Sequence, residues 1–190
     1  MNIVLASSSP RRKELMEMLE VKNLIILPAK GEEVPPEHAS GAELVKALAL
    51  QKAREVAARC EKEDVVIGAD TIVWVDDRPF GKPHSEEEAA RMLRRLSGDC
   101  HTVYTGVAVL RGETELVEAE ESRVWFRPLS EEEIRRYIAT GEPMDKAGAY
   151  GAQGRGALFV RAIEGDFFNV MGLPLCRLGQ MLKQQGVELL

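Results

Sequence analysis

The motif Ser-x-x-Glu occurs three times in this chain, and each occurrence predicts where a helix begins. The serine of such a capping box accepts a hydrogen bond from a free backbone N–H of the first turn, and the glutamate reaches back to the N–H of the serine. The pairs are Ser40 with Glu43, Ser85 with Glu88, and Ser130 with Glu133. Short apolar runs typical of strands separate these helices, and this alternation predicts an α/β fold.

Apolar residues follow the predicted helix starts at the spacing of one helix face. A further helix is opened by Ser9 and Pro10, the helix after Ser40 runs to about Cys60, and a last helix begins near Pro174. The residues predicted to face the core are, helix by helix, Leu15, Met18 and Leu19; Val45, Ala49, Ala53 and Val56; Ala89, Met92, Leu93 and Leu96; Ile134, Tyr137 and Ile138; and Leu175, Leu178 and Leu182. Strands are predicted at residues 2–6, 24–27, 65–75, 103–110, 117–126 and 158–163.

Composition excludes several classes of protein. The 190 residues suffice for one domain with a real core, and no apolar run approaches the length of a membrane span. Three widely spaced cysteines argue against a disulfide framework, so we expect a cytoplasmic protein without a membrane partner. A net charge of −6 and only 5% aromatic residues argue against a nucleic-acid partner.

The segment SSSPRRK, residues 7–13, joins a predicted strand to the amino terminus of a helix. Serine hydroxyls, free backbone N–H groups and the guanidinium groups of Arg11 and Arg12 would converge there, which suits a phosphate. The alternative is a solvated basic first turn. The helix dipole disfavours cations at this position, which favours a compensating anion.

Asp70 interrupts the apolar run of residues 65–75. A carboxylate in such a run costs several kcal/mol unless it is paired, bound to a metal or placed at a cleft. Either Asp70 is a functional carboxylate in a buried strand, or it lies in a turn between two short strands with Gly68 supplying the bend. Thr71 beside it is either a polar ligand contact or an ordinary strand residue.

Further charged residues are candidate ligands. Glu32 and Glu33 lie in a proline-flanked loop, where they either offer oxygen ligands for a divalent cation together with Asp70 or are ordinary solvated loop charges. Lys82 lies in Gly-Lys-Pro, which is not a P-loop because proline replaces the required serine or threonine. Lys52 lies on or beside the apolar stripe of its helix, either extending from the core to solvent or binding phosphate.

Residues 145–156, DKAGAYGAQGRG, are rich in glycine. Their spacing does not match the dinucleotide fingerprint GxGxxG, and a strand follows where that motif requires a helix. Such glycine density indicates tight turns or close approach of the backbone to another group. The amide of Gln153 is a candidate for reading a base edge, and the alternative is a purely structural loop.

Several segments together resemble the Maf family of nucleoside triphosphate pyrophosphatases. They are LASSSPRRKEL (5–15), GADTIV (68–73), GKP (81–83), LSGDCHTVYTGV (96–107), GEPMDKAGAYGAQG (141–154) and GLPL (172–175). The segments span nearly the whole chain in the order and at the spacing of the family. The resemblance therefore implies a single Maf-like pyrophosphatase domain over residues 1–190.

The resemblance also implies a fold and an activity. The fold would be a mixed, strongly bent β-sheet flanked by helices, with two lobes around a central cleft, as in Maf and inosine triphosphate pyrophosphatase-like proteins. The reaction would be metal-dependent hydrolysis of a nucleoside triphosphate to the monophosphate and pyrophosphate. GADT and the AYGxQG loop are similar to the branch that acts on dTTP and UTP. A homodimer is implied as well.

Residue roles follow from the same resemblance. Asp70 matches the proton acceptor, with Lys52 and Lys82 beside it as catalytic cations. The positions that match substrate-binding residues are Ser8, Arg11, Arg12, Thr71 and Gln153. Glu33 and Asp70 would hold the divalent metal, Mg²⁺ or Mn²⁺, although the loop of Glu33 matches the family only loosely and Glu32 is an alternative.

The charge balance supports a role for a metal. A net-acidic chain cannot capture a polyanion through its overall field, so placed cations and a divalent ion are required. The alternative function is a nucleotide-binding regulator of cell division or septum formation, with incidental hydrolysis. The presence of Asp70, Lys52 and Lys82 favours catalysis, because a pure sensor does not need them.

Overall fold

Seven strands form one mixed sheet in the computed structural model, which describes all residues from Met1 to Leu190. The strands are β1 (Ile3–Leu5), β2 (Leu24–Ile26), β3 (Val65–Val75), β4 (Arg78–Phe80), β5 (Cys100–Arg111), β6 (Thr114–Phe126) and β7 (Val160–Glu164). Their order is β2-β1-β3-β5-β6-β7, and β4 pairs with β3. β1 pairs in parallel with β2 and β3, whereas β4 and β7 pair antiparallel with β3 and β6.

Six α-helices accompany the sheet. They are α1 (Pro10–Met18), α2 (Gly41–Ala57), α3 (Glu86–Leu96), α4 (Glu131–Ile138), α5 (Phe167–Met171) and α6 (Leu175–Gln184). The prediction of a mixed α/β sheet flanked by helices is thus confirmed. None of these helices combines the length and the apolar character that crossing a bilayer requires.

Two of the three predicted capping boxes form completely. The hydroxyls of Ser40 and Ser130 accept the N–H groups of Glu43 and Glu133, whose carboxylates accept the serine N–H groups in return. At α3 the prediction is half wrong. Ser85 accepts from the N–H of Glu88 at 3.1 Å, but the Glu88 carboxylate accepts from His84 N at 2.7 Å instead of from Ser85. The more extended Ser85 backbone, with φ of −152°, accompanies this change of partner.

The chain divides into two compact units, and unit 1 comprises residues 1–70, 105–120 and 172–190. Its core packs the predicted inward face of α2, Val45, Ala49, Ala53 and Val56, all of which have no exposed surface. Val4, Val66 and Ala108, from three neighbouring strands, lie in one cluster with Ala49, Ala53 and Val56. The helical spacing of the apolar residues therefore predicts this face correctly.

Unit 2 comprises residues 71–104 and 121–171. Its core packs the predicted faces of α3 and α4 with Phe126 and Phe159. A short hairpin joins β3 to β4 through Asp76 and Asp77, both at positive φ, as expected for a tight turn between strands. The sequence patterns did not predict β4, although the Asp-Asp pair after an apolar run is a turn signal.

One predicted helix face, that of α1, and one predicted strand boundary, the start of β7, are wrong. Helix α1 buries Arg12, Leu15 and Met16, one face at spacings of three and four residues, whereas Met18 is 56% exposed. The polar residue Arg12 belongs to this inward face because hydrogen bonds hold it there, as described below. The last strand begins at Val160 because a 3₁₀ turn (Arg155–Phe159) occupies the preceding residues.

A buried histidine makes stability depend on pH. His101 in unit 2 is 3% exposed, its Nε2 lies 2.7 Å from the Tyr150 hydroxyl, and burial lowers its pKa from 6.5 to about 4. Between these values the unfolded chain binds a proton that the folded protein does not, so stability falls as pH falls from about 6.5 to 4. We expect a loss of roughly 3 kcal/mol over this range.

Urea unfolding between pH 4 and pH 7.5 measures this loss. His101→Gln removes the titrating group and should flatten the pH dependence, whereas His84→Gln, at an exposed position, should not. If His101→Gln retains the slope of the wild-type protein, another group causes the dependence.

Candidate active site

Asp70 lies within β3, which runs without a break from Val65 to Val75. The turn interpretation of Asp70 is therefore wrong. Its side chain is 13% exposed. A carboxylate at this depth requires a charged or hydrogen-bonding partner, because ionised groups lose their hydration on burial.

Lys52 of α2 is that partner. Its Nζ donates to Oδ1 of Asp70 at 2.5 Å, and its side chain is only 16% exposed. The contact depends on Gly68, because a Cβ there would lie 2.2 Å from the backbone oxygen of Ala49 and 2.9 Å from Ala53. The absence of a side chain at Gly68 therefore lets α2 lie directly against β3 and brings Lys52 to Asp70.

Glu33 completes a cluster of two carboxylates around one ammonium group. Lys52 Nζ lies 3.0 Å from Oε1 of Glu33, whose side chain is 49% exposed. Of the two candidate glutamates, Glu33 is the one that forms an ion pair with Lys52. We call Glu33, Lys52 and Asp70 the carboxylate–lysine cluster, and all three belong to unit 1.

Two side chains of α2 that the sequence patterns did not single out anchor the loop of Glu33. The Glu55 carboxylate accepts from the N–H groups of Lys30 and Gly31 at 2.8 and 2.9 Å. The Gln51 amide bonds both the N–H and the carbonyl of Val34 at 3.0 and 2.6 Å. These anchors hold the segment on either side of Glu33 against the helix that carries Lys52. A sequence signal that could have pointed to Gln51 and Glu55 is their spacing of four residues, one helix turn, on either side of Lys52.

Arg12 lies beside the cluster and faces inward. Its Nη1 donates to the hydroxyl of Ser7 at 3.1 Å and to the backbone oxygen of Ala69 at 2.9 Å. Its Nε donates to the backbone oxygen of Gly172 at 2.7 Å. Arg12 thus connects the segment after β1, the residue before Asp70 and the segment before α6. Ser7 lies in the segment predicted to bind phosphate, whereas Gly172 was not predicted for this site.

The charges of Arg12 and the cluster influence one another. Burial is the largest influence on the Arg12 guanidinium and lowers its pKa. Asp70 and Glu33 counteract that effect, whereas the neighbouring Arg11 adds to it. Unit 1 therefore brings both cationic and anionic side chains close to Asp70.

The remaining candidates lie at or near the surface. Ser8 is exposed and Arg11 is half-buried at the start of α1. Thr71, Lys82 and Gln153 belong to unit 2, with Lys82 and Gln153 exposed and Thr71 half-buried. Within unit 2, the backbone oxygen of Gly81 accepts from Gly148 N at 3.0 Å, which ties the Gly-Lys-Pro segment to the glycine-rich loop.

The donor set limits how a metal ion can be held. No group of three or more histidine, cysteine, aspartate or glutamate side chains forms a metal cage. Mg²⁺ does not need one, because it is commonly bound by one or two carboxylates, water and the phosphates of a substrate. The carboxylates of Glu33 and Asp70, both within reach of Lys52, match that smaller requirement.

The fold and the site define an α/β protein with a carboxylate–lysine cluster formed around Asp70 of its third strand. The chain belongs to the Maf-like protein family, whose family model matches residues 2–185. A protein named dTTP/UTP pyrophosphatase from Pelotomaculum thermopropionicum is 52% identical and aligns with 99% of this chain and 98% of its own length.

A second relative and one solved structure also align with this chain. A protein of the same name from Symbiobacterium thermophilum is 54% identical over 97% of this chain and 94% of its own. Among solved structures, a nucleoside-triphosphatase / dITP/XTP pyrophosphatase from Mycobacterium abscessus aligns with 98% of this chain and 94% of that chain. Its TM-score is 0.47 at 17% identity. The curated relatives thus match this chain along nearly its whole length.

Proposed function

We propose that this protein hydrolyses nucleoside triphosphates, with dTTP and UTP as substrates, to the monophosphate and pyrophosphate. The observation that carries the proposal is Asp70, a largely buried strand carboxylate held by Lys52 at 2.5 Å and still partly exposed. The names of relatives that are about half identical to this chain support the substrate class. Removal of unwanted nucleotides from the cellular pool is the corresponding role.

The reaction is an attack by water on the α-phosphorus. A carboxylate oxygen of Asp70 takes the proton of the water as the new P–O bond forms. The bond from the α-phosphorus to the oxygen that bridges it to the β-phosphorus then breaks, and its electron pair leaves with pyrophosphate. Lys52, Lys82 and Arg11 balance the charge on the phosphate oxygens, and Ser8 adds a hydroxyl contact.

Arg12 contributes mainly by position in this proposal. Its bonds to Ser7, Ala69 and Gly172 fix the backbone directly before Asp70. Its positive charge would also offset part of the negative charge that a bound triphosphate brings to the site. Both effects act on the same step, because Asp70 must meet the attacking water at a fixed distance.

We propose Glu33 and Asp70 as the protein ligands of a Mg²⁺ or Mn²⁺ ion that substrate phosphates help to hold. When bound, such an ion neutralises phosphate charge and acidifies a coordinated water. Lys52 contacts both carboxylates, and its positive charge offsets their mutual repulsion when no ion is bound.

Glu33→Gln tests the metal assignment, with Glu32→Gln as the matched control one residue away. We expect Glu33→Gln to raise the Mg²⁺ concentration for half-maximal activity about tenfold or more, because it removes one anionic ligand. Calorimetric titration with Mn²⁺ and a non-hydrolysable triphosphate measures the same loss without turnover. Equal shifts in both variants would contradict a specific role for Glu33.

Several features of this proposal derive from the family resemblance. Arg11, Thr71 and Gln153 select the pyrimidine base, and residues 1–190 act as one pyrophosphatase domain. The protein acts as a homodimer in the cytoplasm. Free thiols at Cys60, Cys100 and Cys176 are consistent with that compartment.

A panel of canonical and modified triphosphates with Mg²⁺ or Mn²⁺ tests the proposed reaction. We expect pyrophosphate as the first product, with dTTP and UTP among the preferred substrates. Failure to turn over any pyrimidine triphosphate would refute the proposal, and orthophosphate as the first product would refute attack at the α-phosphorus. Tight nucleotide binding without turnover would instead indicate a nucleotide-binding regulator.

A further inference from the structure

The loop at residues 151–156 of unit 2 carries the exposed side chain of Gln153 on a tightly folded backbone. Gly154 has φ of 85° and ψ of −151°, a conformation open essentially only to glycine. A Cβ at Gly156 would lie 2.4 Å from the backbone oxygen of Gly151 and 2.7 Å from the Tyr137 hydroxyl. The two ends of the loop therefore touch each other beside Tyr137.

One carboxylate and one phenol hold this loop closed. Glu142 accepts from the N–H of Arg155 at 3.0 Å and from that of Gly156 at 3.1 Å. The Tyr137 hydroxyl donates to Glu142 at 2.9 Å and accepts from the N–H of Gly151 at 3.3 Å. Both ends of the loop are thus bonded to the Glu142–Tyr137 pair.

The pair is itself rigidly placed. Tyr137, on α4, is 4% exposed, and its ring packs edge-on against Phe159 with centroids 4.8 Å apart. The N–H of Glu142 bonds to the Thr140 hydroxyl at 3.2 Å, and its carbonyl accepts from Lys146 Nζ at 2.7 Å. Tyr137 therefore belongs to the core of unit 2, and the half-buried Glu142 is held beside it by hydrogen bonds of its own backbone.

The protonation states suit these bonds. Burial raises the pKa of Tyr137, so its hydroxyl remains a neutral donor. Burial opposes ionisation of Glu142, but the N–H groups of Gly156 and Arg155 and the Tyr137 hydroxyl together lower its pKa. Hydrogen bonds to an ionised acceptor are about twice as strong as neutral ones.

We propose that Glu142 and Tyr137 are positioning residues for base selectivity, acting through Gln153. This inference rests on the proposed function, in which Gln153 reads the base. An amide distinguishes a keto from an amino group only if its own donor and acceptor are held in place, because a mobile amide adapts to either. Anchoring the loop on the core supplies that rigidity at a distance from the base.

A double-mutant cycle tests the inference. The quantity measured is the kcat/KM ratio for UTP against CTP, whose bases differ where one presents a keto and the other an amino group. We expect Glu142→Gln to lower this ratio about tenfold, and by more than it lowers kcat for UTP. In the Gln153→Ala background the same substitution should change the ratio less than about twofold, because a residue that acts through Gln153 has no effect without it.

Controls separate this role from a general loss of structure. Glu132→Gln makes the same change at an exposed position of α4 and should leave the ratio unchanged. Tyr137→Phe removes only the hydroxyl and provides a second variant if Glu142→Gln does not fold. In the wild-type protein, the N–H groups of Gly151, Arg155 and Gly156 should exchange slowly with deuterium.

Each outcome has one meaning. An unchanged ratio in both anchor variants, an equal effect with and without Gln153, or rapid exchange of the three wild-type N–H groups would overturn the inference. If the wild-type protein releases pyrophosphate from UTP while these variants retain its selectivity, only this inference fails. If it releases none from any triphosphate, the proposed function fails and the selectivity role fails with it.

Discussion

Asp70→Asn is expected to lower kcat for pyrophosphate release about 10³-fold or more while nucleotide affinity at saturating Mg²⁺ changes only severalfold. Asparagine keeps the shape of the side chain but cannot accept the proton of the attacking water at neutral pH. Lys52 retains Glu33 as a partner, 3.0 Å away, so the variant does not leave an isolated buried cation. The variant should therefore lose turnover while it retains nucleotide binding.

Steady-state pyrophosphate release and calorimetry with a non-hydrolysable triphosphate measure the two quantities. Asp77→Asn is the matched control, because Asp77 is exposed in the β3–β4 turn at φ of 56°, which asparagine tolerates. The control should retain wild-type kinetics. An Asp70→Asn protein with near wild-type kcat would show that Asp70 is not the proton acceptor.

Gly68→Ala is expected to destabilise the protein by about 3 kcal/mol or more. The added Cβ would lie 2.2 Å from the backbone oxygen of Ala49, and no side-chain rotation relieves a contact with backbone. For a chain of this length the melting temperature should fall by roughly 6–12 °C. Relief of the clash requires α2 to move away from β3, which would also weaken the contact between Lys52 and Asp70.

Thermal unfolding measures the stability change, and pyrophosphate release measures the effect on the cluster. Gly179→Ala, inside α6 where the new Cβ meets nothing within 4 Å, is the control. It should stabilise the protein by about 0.5–1 kcal/mol, because alanine has the higher helix propensity. A neutral Gly68→Ala would show that α2 and β3 separate at little cost.

Local signals predicted much of the fold. The serines at 40, 85 and 130 predict three helix starts because a cap is formed within one turn of chain. The face of α1 was predicted less well, since Arg12 turns inward to acceptors as distant in sequence as Gly172. Hydrophobic periodicity contains no information about such a polar partner.

The residues of the candidate site likewise divide into those that local sequence patterns reveal and those that they do not. Asp70 is detectable as a carboxylate in an apolar run, and Lys52 as a charge on an apolar helix stripe. The anchors Gln51, Glu55 and Glu142 were not detectable in this way, because each acts by bonding backbone groups of a separate loop. Only the folded chain shows which loop each of these side chains reaches.

The amino-acid sequence by itself determined where the main helices begin, which side chains most of them bury, and that an apolar run contains the unusual carboxylate Asp70. These properties arise from hydrogen bonds and periodicity within a few residues. Tertiary structure decided that Lys52 and Glu33 meet at Asp70 and that Arg12 faces inward. The physical reason is close approach: with no side chain at Gly68, α2 lies against β3, and charges distant in sequence become neighbours.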